Sequence, residues 1–329
     1  MSAQHRRHNL AWVAGSALLA GILAGPAEAD ALRGVWTAER SKWRVANAGT
    51  ATIVQLSLRR VGVKGQWDLS QPVPLAELSG LSEAQLDATS AETRFAWKRD
   101  AGTFSLEGRF QAGAGAGHFA FAADPGYVAD MARRGYGGID DEKALSLALH
   151  DVSRRFIDDL AGLGYERLAL DQLVAFRIHG ASAEYVRGLA ALGYHRLPVD
   201  QLVAFRIHGA SLDYLRELQA LGYASLPPDK VEAFRIHGVS AEFVRELKSL
   251  GYDRLEPDQL VSMRIHGVSP EQIKDLKALG YSGVPVDQLV SLRIHGVTPD
   301  FIRRVQGRSG KAVTVDRLVS MRIHGQDPE

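Results

Sequence analysis

The tetrapeptide Arg-Ile-His-Gly occurs six times in this sequence and contributes the residues best suited to chemistry. Its histidines are spaced at intervals of 29 residues: His179, His208, His237, His266, His295 and His324. Zinc requires several ligands about 2.0–2.1 Å from one ion, whereas neighbouring helices lie about 8–10 Å apart. Equivalent histidines of stacked units are therefore too distant to share an ion. We expect no metal site and no other cofactor.

Each of these histidines immediately precedes a glycine, which is where helices commonly end. An imidazole at that position can bond free carbonyl groups, and its protonated form favours the negative end of the helix. We therefore predict a structural role for the histidines at the helix C-termini. A pH-sensing ladder of histidines at the same positions is the alternative.

The arginines of the motif raise a different question, because a helical wheel places Arg264 inside the apolar arc made by Leu260, Met263 and Ile265. Ile265 is predicted to complete that arc. The other copies are Arg177, Arg206, Arg235, Arg293 and Arg322. Since a buried arginine needs a partner, we hypothesise a ladder in which each arginine contacts an aspartate, glutamate or carbonyl of an adjacent helix or unit. Alternatively, the arginines line a groove that binds acidic groups.

Two short helices in each unit must position these residues. Good N-cap residues recur every 29 residues, at Asp124, Ser153, Ser182, Ser211, Ser240, Ser269 and Thr298. The first helix is predicted to end at a glycine such as Gly251, and the second to run from about Pro257 to Gly267. Isolated helices need roughly 12–15 residues to be stable, so the units must stack as in a solenoid. His150 marks a degenerate first copy, which gives about seven units.

A tyrosine follows the glycine that ends the first helix, at Tyr194, Tyr223, Tyr252 and Tyr281. These rings could form a surface stripe that binds a partner. Packing beneath the turn, with the hydroxyl in water, is the expected arrangement.

The residues before the repeats have a different composition, with tryptophans and period-two alternation that is clearest in residues 103–110. We predict an α+β protein in two domains: a small antiparallel β domain at residues 30–123 and an α-helical solenoid at residues 124–329. The β domain should hold five to seven strands in a sheet, sandwich or partial barrel. The Gly-Ala-Gly-Ala-Gly segment at residues 113–117 is predicted to be a hairpin turn or bulge. A phosphate-binding loop would need a Gly-Lys-Ser/Thr continuation, which is missing.

The N-terminus has the pattern of a secretory signal peptide, residues 1–29. Arg6 and Arg7 precede an apolar run at residues 10–24, and the small-x-small sequence at residues 27–29 suits cleavage after Ala29. A retained anchor and twin-arginine export are open alternatives. We predict a periplasmic or secreted protein without stable membrane insertion. Removing the two arginines and one glutamate of the signal from 39 basic and 38 acidic residues leaves 37 of each. A neutral chain makes nucleic acid an unexpected partner.

A tryptophan-containing β segment followed by LGY…DQLV…RIHGV repeats resembles modules of uncharacterised bacterial envelope proteins. Some of those modules are attached to sensor metallopeptidases of the β-lactam-sensor type. The resemblance covers nearly all of the predicted mature chain and implies an accessory or sensing role. It carries over no catalytic residue, because this chain contains no HExxH sequence.

The sequence also has no cysteine and no GxSxG motif, and its polar residues recur with the repeat rather than once. We therefore expect no catalysis. The predicted function is an exported binding module whose solenoid presents an extended surface to a protein or peptide of the cell envelope. The alternatives are a structural or assembly component of the envelope, a sensing or accessory protein with a pH-responsive histidine ladder, and an enzyme in the β domain. The oligomeric state is left open.

Overall fold

The computed structural model describes residues 32–41, 51–62, 65–310 and 312–326. It shows an antiparallel sheet followed by regularly spaced pairs of short helices, which confirms the predicted fold class. The predicted signal peptide lies outside the described residues. Among the helices that are described, none has both the length and the apolar character needed to cross a membrane.

A seven-stranded sheet forms the N-terminal part, at the upper limit of the predicted number. The strands are β1 Leu32–Arg40, β2 Ile53–Gly62, β3 Gly65–Pro74, β4 Leu78–Ser79, β5 Ala91–Arg99, β6 Gly102–Gln111 and β7 Ala114–Ala123. Their order across the sheet is β3-β2-β1-β7-β6-β5-β4. A short helix, α1 Glu83–Leu86, lies between β4 and β5.

The sheet buries one face because apolar residues alternate along its strands. Trp36 is 1% exposed and packs against the rings of Phe95 and Phe110, with centroids 5.2 and 5.7 Å away. Its indole nitrogen donates to the carbonyl of Glu107 at 3.1 Å. A Cβ atom at Gly108 would lie 2.8 Å from the indole, so this glycine makes room for the ring.

Gly113 of the glycine-rich segment lies in the two-residue turn between β6 and β7, as predicted, whereas residues 114–117 belong to strand β7. The two connecting residues, Ala112 and Gly113, have φ values of 49° and 87°. Two positive φ values in a two-residue connection match the twist of the flanking strands.

Fourteen helices of the described chain form seven consecutive pairs. They are α2 Pro125–Arg133, α3 Asp141–Leu149, α4 Arg154–Ala161, α5 Leu170–His179, α6 Ala183–Ala191, α7 Val199–Ile207, α8 Leu212–Ala220, α9 Pro228–Ile236, α10 Ala241–Ser249, α11 Pro257–Ile265, α12 Pro270–Ala278, α13 Val286–Ile294, α14 Pro299–Ser309 and α15 Val315–Ile323. Even numbers mark the first helix of each pair and odd numbers the second.

The helices pack in two layers. From α4 to α14 each first helix contacts the next first helix, and from α5 to α15 each second helix contacts the next second helix. We call these the first layer and the second layer. All seven predicted N-cap side chains accept a hydrogen bond from the backbone N–H three residues on, as Ser240 does from Phe243. Gly238 and Gly251, which follow helix ends, have φ values of 72° and 98°.

The helices belong to a compact unit that also contains residues 76–79 and 96–104, in addition to residues 123–329. The ends of β5 and β6 thus belong to this unit. Within it, Arg154 pairs with Asp100, and Arg99 contacts Glu77 and Asp151. The rest of the sheet forms the second compact unit.

The tyrosines that follow the first helices differ from the prediction at their hydroxyl groups. The ring of Tyr223 packs on Phe234, as expected, with centroids 6.1 Å apart. Its hydroxyl is not in water but donates to the carbonyl of Leu255, in the next repeat, at 2.8 Å. Tyr252 and Tyr281 make the equivalent bond at 2.7 and 2.6 Å. A ring packed at the junction brings its hydroxyl close to the next unit's free carbonyl, which needs a donor.

Candidate functional site

Three of the six arginines of the Arg-Ile-His-Gly motif join neighbouring repeats through a backbone carbonyl. The Nε atom of Arg235 donates to the carbonyl of His208 at 3.0 Å. Arg177 and Arg206 make the same bond to His150 and His179, at 2.9 and 3.0 Å. Each acceptor is at the C-terminus of the preceding second helix, where carbonyl groups lack partners inside the helix.

Guanidinium groups of the motif also cover aromatic rings of the first layer. Five of them have their central carbon 4.7–5.1 Å from a ring centroid: Arg177 over Phe156, Arg206 over Tyr185, Arg235 over Tyr214, Arg264 over Phe243 and Arg322 over Phe301. A cation over a ring face is stabilised by the quadrupole of the ring. One side chain therefore connects a helix end of one layer with a core ring of the other.

One repeat breaks this pattern. Gln272 occupies the position of the ring in the repeat that contains Arg293. Both its amide nitrogen and its amide oxygen are shielded from solvent and have no hydrogen-bond partner among the described residues. A shielded amide without a partner carries an energetic cost, so this repeat is less well stabilised than its neighbours.

The isoleucines of the motif are exposed, and the prediction that Ile265 completes the buried arc was wrong. The side chains are 55–57% exposed at Ile178, Ile207, Ile236, Ile265, Ile294 and Ile323. In α11, Ile265 lies seven residues after the exposed Asp258, and positions seven apart lie on nearly the same face of a helix. Leu260 and Met263 alone point into the core. We call these six residues the isoleucine row.

No known protein family matches this chain, and no curated protein matches it. Function must therefore be inferred from the chemistry of the surfaces themselves. The isoleucine row, the arginines beside it and the histidines that follow each isoleucine form one edge of the second layer.

The histidines lie at the ends of the second helices, where the sequence placed them. His208, His237, His266, His295 and His324 occupy the C-cap position. Among the six motif histidines, His324 alone has a ring nitrogen in contact with another group of the described chain: its Nδ1 lies 2.7 Å from the carbonyl oxygen of Ser320. No group of three potential metal ligands comes together in the described residues. The backbone carbonyls of His179 and His208 each accept a hydrogen bond from an arginine of the next repeat.

Asp258, an acidic residue in the first turn of α11, pairs with a lysine and not with a motif arginine. It accepts from the ammonium group of Lys230 at 2.6 Å, on the outer surface of the second layer.

Asp151 is a residue of this site that the sequence reasoning missed. It occupies the glycine position of the degenerate first copy and has a left-handed φ of 53°. Its Oδ2 atom lies 2.5 Å from Nη2 of Arg177. The sequence does contain the information needed to find Asp151, because aligning His150 with the other six histidines places Asp151 where the later copies have glycine.

His150 predicts a pH dependence of stability. Burial, and secondly the charge of Arg177, lower the pKa of His150 below its ordinary value near 6.5. The unfolded chain therefore binds a proton more readily than the folded chain does. The stabilisation is fully present above pH 6.5 and is lost as the pH falls towards the lower folded pKa.

We expect a His150→Gln variant to lose less stability than the unmodified protein between pH 7 and pH 5. Urea unfolding monitored by circular dichroism at each pH measures this difference. A His237→Gln variant, at an exposed copy, is the control and should reproduce the unmodified profile. Parallel pH profiles for His150→Gln and the unmodified protein would contradict the prediction.

The sheet has a separate surface feature, a depression of about 590 Å³ on its polar face. Small residues of β7 form its floor beside Thr37. Longer polar side chains surround it, namely Glu39, Gln55, Arg109 and Gln111. Gln55 bonds Ser70 at 2.9 Å, and Arg109 is paired with Glu92 at 2.9 Å.

Proposed function

We propose that this protein is an exported, non-catalytic binding module whose isoleucine row receives an extended segment of a protein or peptide partner in the cell envelope. The observation that carries the proposal is the regular exposure of one isoleucine per repeat across six repeats. Single exposed apolar residues are ordinary on protein surfaces, but contiguous apolar patches mark interaction sites.

The row has apolar continuity along each helix. One turn before the isoleucine, five of the six second helices carry a half-buried valine: Val174, Val203, Val261, Val290 and Val319. Among the described residues of the helices, exposed large apolar side chains occur only in this row, whereas the outer surface of the first layer carries ion pairs such as that between Arg245 and Glu217, at 3.2 Å. The two layers thus differ in the kind of partner that each can bind, and the second layer suits an apolar segment.

The available energy is sufficient for a specific complex. Fully burying an isoleucine contributes about 1.5–3 kcal/mol, and more than half of each side chain in the row is still exposed. Covering all six would therefore contribute on the order of 6 kcal/mol. Because association has its own entropic cost, an extended partner that covers several repeats is favoured over one that contacts a single repeat.

The test replaces Ile207, Ile236 and Ile265 with serine in the full-length chain. Isoleucine and serine have similar helix propensities and these positions are exposed, so the stability should change by no more than about 0.5 kcal/mol per substitution. We expect the variant to lose envelope proteins that the unmodified protein retains in a crosslinking capture from envelope extract.

A matched control carries three serine substitutions on the outer surface of the first layer, at Arg216, Arg245 and Lys274. It should retain the captured proteins. Equal capture by the unmodified protein and the isoleucine variant would show that the row is not the binding surface.

A further inference from the structure

The first repeat shows which group fits the arginine of this motif. There Asp151 places a carboxylate against Nη2 of Arg177, while Nε of the same guanidinium bonds the carbonyl of His150. A guanidinium has five N–H donors, and the Nη donors are free to bind a carboxylate when Nε is already used. The motif thus contains a carboxylate-binding position that the chain itself fills once.

Later repeats keep the arginine but have glycine in place of this aspartate. At Gly180, Gly209 and Gly238, a Cβ atom would lie 2.9, 3.0 and 3.2 Å from Nη2 of the arginine in the next repeat. Gly267 and Gly296 show the same relation, at 3.2 and 3.3 Å. At all five glycines, the nearest atom of the described chain to this Cβ position is Nη2 of that arginine.

Most of these arginine charges are not matched by carboxylates of the described chain. Within the described residues, no aspartate or glutamate forms an ion pair with four of them: Arg206, Arg235, Arg264 and Arg293.

Three of the five acidic residues that begin the following first helices are engaged elsewhere. Asp213 pairs with Arg216 at 2.6 Å, and Asp300 pairs with Arg303. Glu271 is held at the start of its own helix, where hydrogen bonds from its backbone N–H and from Ser269 lower the pKa of its carboxyl group.

We propose that the segment received by the isoleucine row is acidic as well as apolar, and that its carboxylates bind the Nη atoms of successive motif arginines as Asp151 binds Arg177. This inference rests on the proposed function and specifies the partner. Each isoleucine directly follows an arginine in sequence, so apolar and acidic contacts recur together in every repeat. Three extended residues cover about 10 Å, close to the 8–10 Å between adjacent helices. An acidic residue and an apolar residue within each group of three would match the repeat.

Three synthetic peptides test the chemistry against the full-length chain: (Leu-Glu-Ser)6, (Leu-Gln-Ser)6 and (Leu-Lys-Ser)6, each with a fluorescent label. We expect the glutamate peptide to bind at least tenfold more tightly than the glutamine peptide, and the lysine peptide to bind most weakly. Because charge-assisted pairs at a surface are screened by salt, the advantage of the glutamate peptide should decrease between 50 and 500 mM salt.

A second set of variants tests the position. Gly209→Asp, Gly238→Asp and Gly267→Asp, combined in one chain, reproduce the arrangement of Asp151 and should occupy the arginines from within. The matched control substitutes asparagine at the same three positions. Asparagine has the same shape as aspartate and a similar tolerance for left-handed φ, but it carries no charge. We expect the aspartate variant to bind the glutamate peptide at least tenfold more weakly than the asparagine variant does.

The outcomes separate this inference from the proposed function. Equal affinities for the glutamate and glutamine peptides, or equal losses in the aspartate and asparagine variants, would overturn the carboxylate inference. In that case, loss of the captured proteins by the Ile207, Ile236 and Ile265 serine variant would still support the proposed function without the carboxylate inference. Failure of the glutamate peptide to bind at all also overturns the inference, whereas only the capture experiment decides the proposed function.

Discussion

Replacing Phe243 with glutamine is expected to lower the free energy of unfolding by about 3 kcal/mol, since losing a buried phenylalanine ring costs about 3–5 kcal/mol. Phe243 is 5% exposed, and its ring lies beneath the guanidinium of Arg264 at 5.0 Å. The substitution removes apolar contacts with both layers and introduces an amide into the same shielded place that Gln272 occupies in the next repeat. The substitution therefore gives a well-packed repeat the same shielded amide that destabilises the repeat of Gln272.

The reciprocal change, Gln272→Phe, should raise the free energy of unfolding by about 1 kcal/mol, because it removes a shielded amide that lacks a partner. It also supplies a ring beneath Arg293. Urea unfolding of the full chain, followed by far-ultraviolet circular dichroism, measures both changes. Effects of the same sign for the two variants would contradict the ring-and-guanidinium account of the repeat junction.

Replacing Arg235 with alanine should cost about 2 kcal/mol, the second-largest effect that we expect. The loss combines a charge-assisted hydrogen bond to the helix end, a cation–π contact and a favourable interaction with the helix dipole. In the structure these are the 3.0 Å bond to the carbonyl of His208 and the 4.7 Å contact with the ring of Tyr214. Because the side chain is only half-buried, the value lies below the sum of the three contributions.

Two further variants make the Arg235 prediction specific. Arg235→Lys keeps the charge but lacks the planar guanidinium and the Nε donor, so it should recover less than half of the loss. Arg245→Ala removes an exposed arginine paired with Glu217 and should cost less than about 0.5 kcal/mol. Thermal unfolding with equal midpoints for Arg235→Ala and Arg245→Ala would exclude a stabilising role for the ladder.

The sequence alone determined the local structure of the repeats. The 29-residue period, the N-cap residues and the glycines specify where each helix begins and ends, because capping and left-handed φ depend on residues a few positions apart. For the same reason the hairpin at Ala112 and Gly113 and the alternating strands were predictable. These features need no knowledge of which units are neighbours.

The partners across repeats were decided by the tertiary structure. Arg235 had an aspartate, a glutamate or a carbonyl as possible partners, and only the stacking of the second layer brings its Nε atom to the carbonyl of His208. Likewise, the hydroxyl of Tyr223 was expected in water, but it reaches a carbonyl 32 residues later. Sequence spacing fixes distances within a helix, whereas contacts between helices depend on packing.

The candidate site shows this division most clearly. The sequence identified the six copies of Arg-Ile-His-Gly and emphasised their histidines, since histidine has the greatest range of chemistry. Which side of a nine-residue helix is covered depends on how the two layers pack, and that packing leaves Ile265 exposed while Leu260 is buried. The 29-residue period of the sequence therefore determined that the same surface recurs in every repeat. The tertiary structure decided that isoleucine and arginine form this surface.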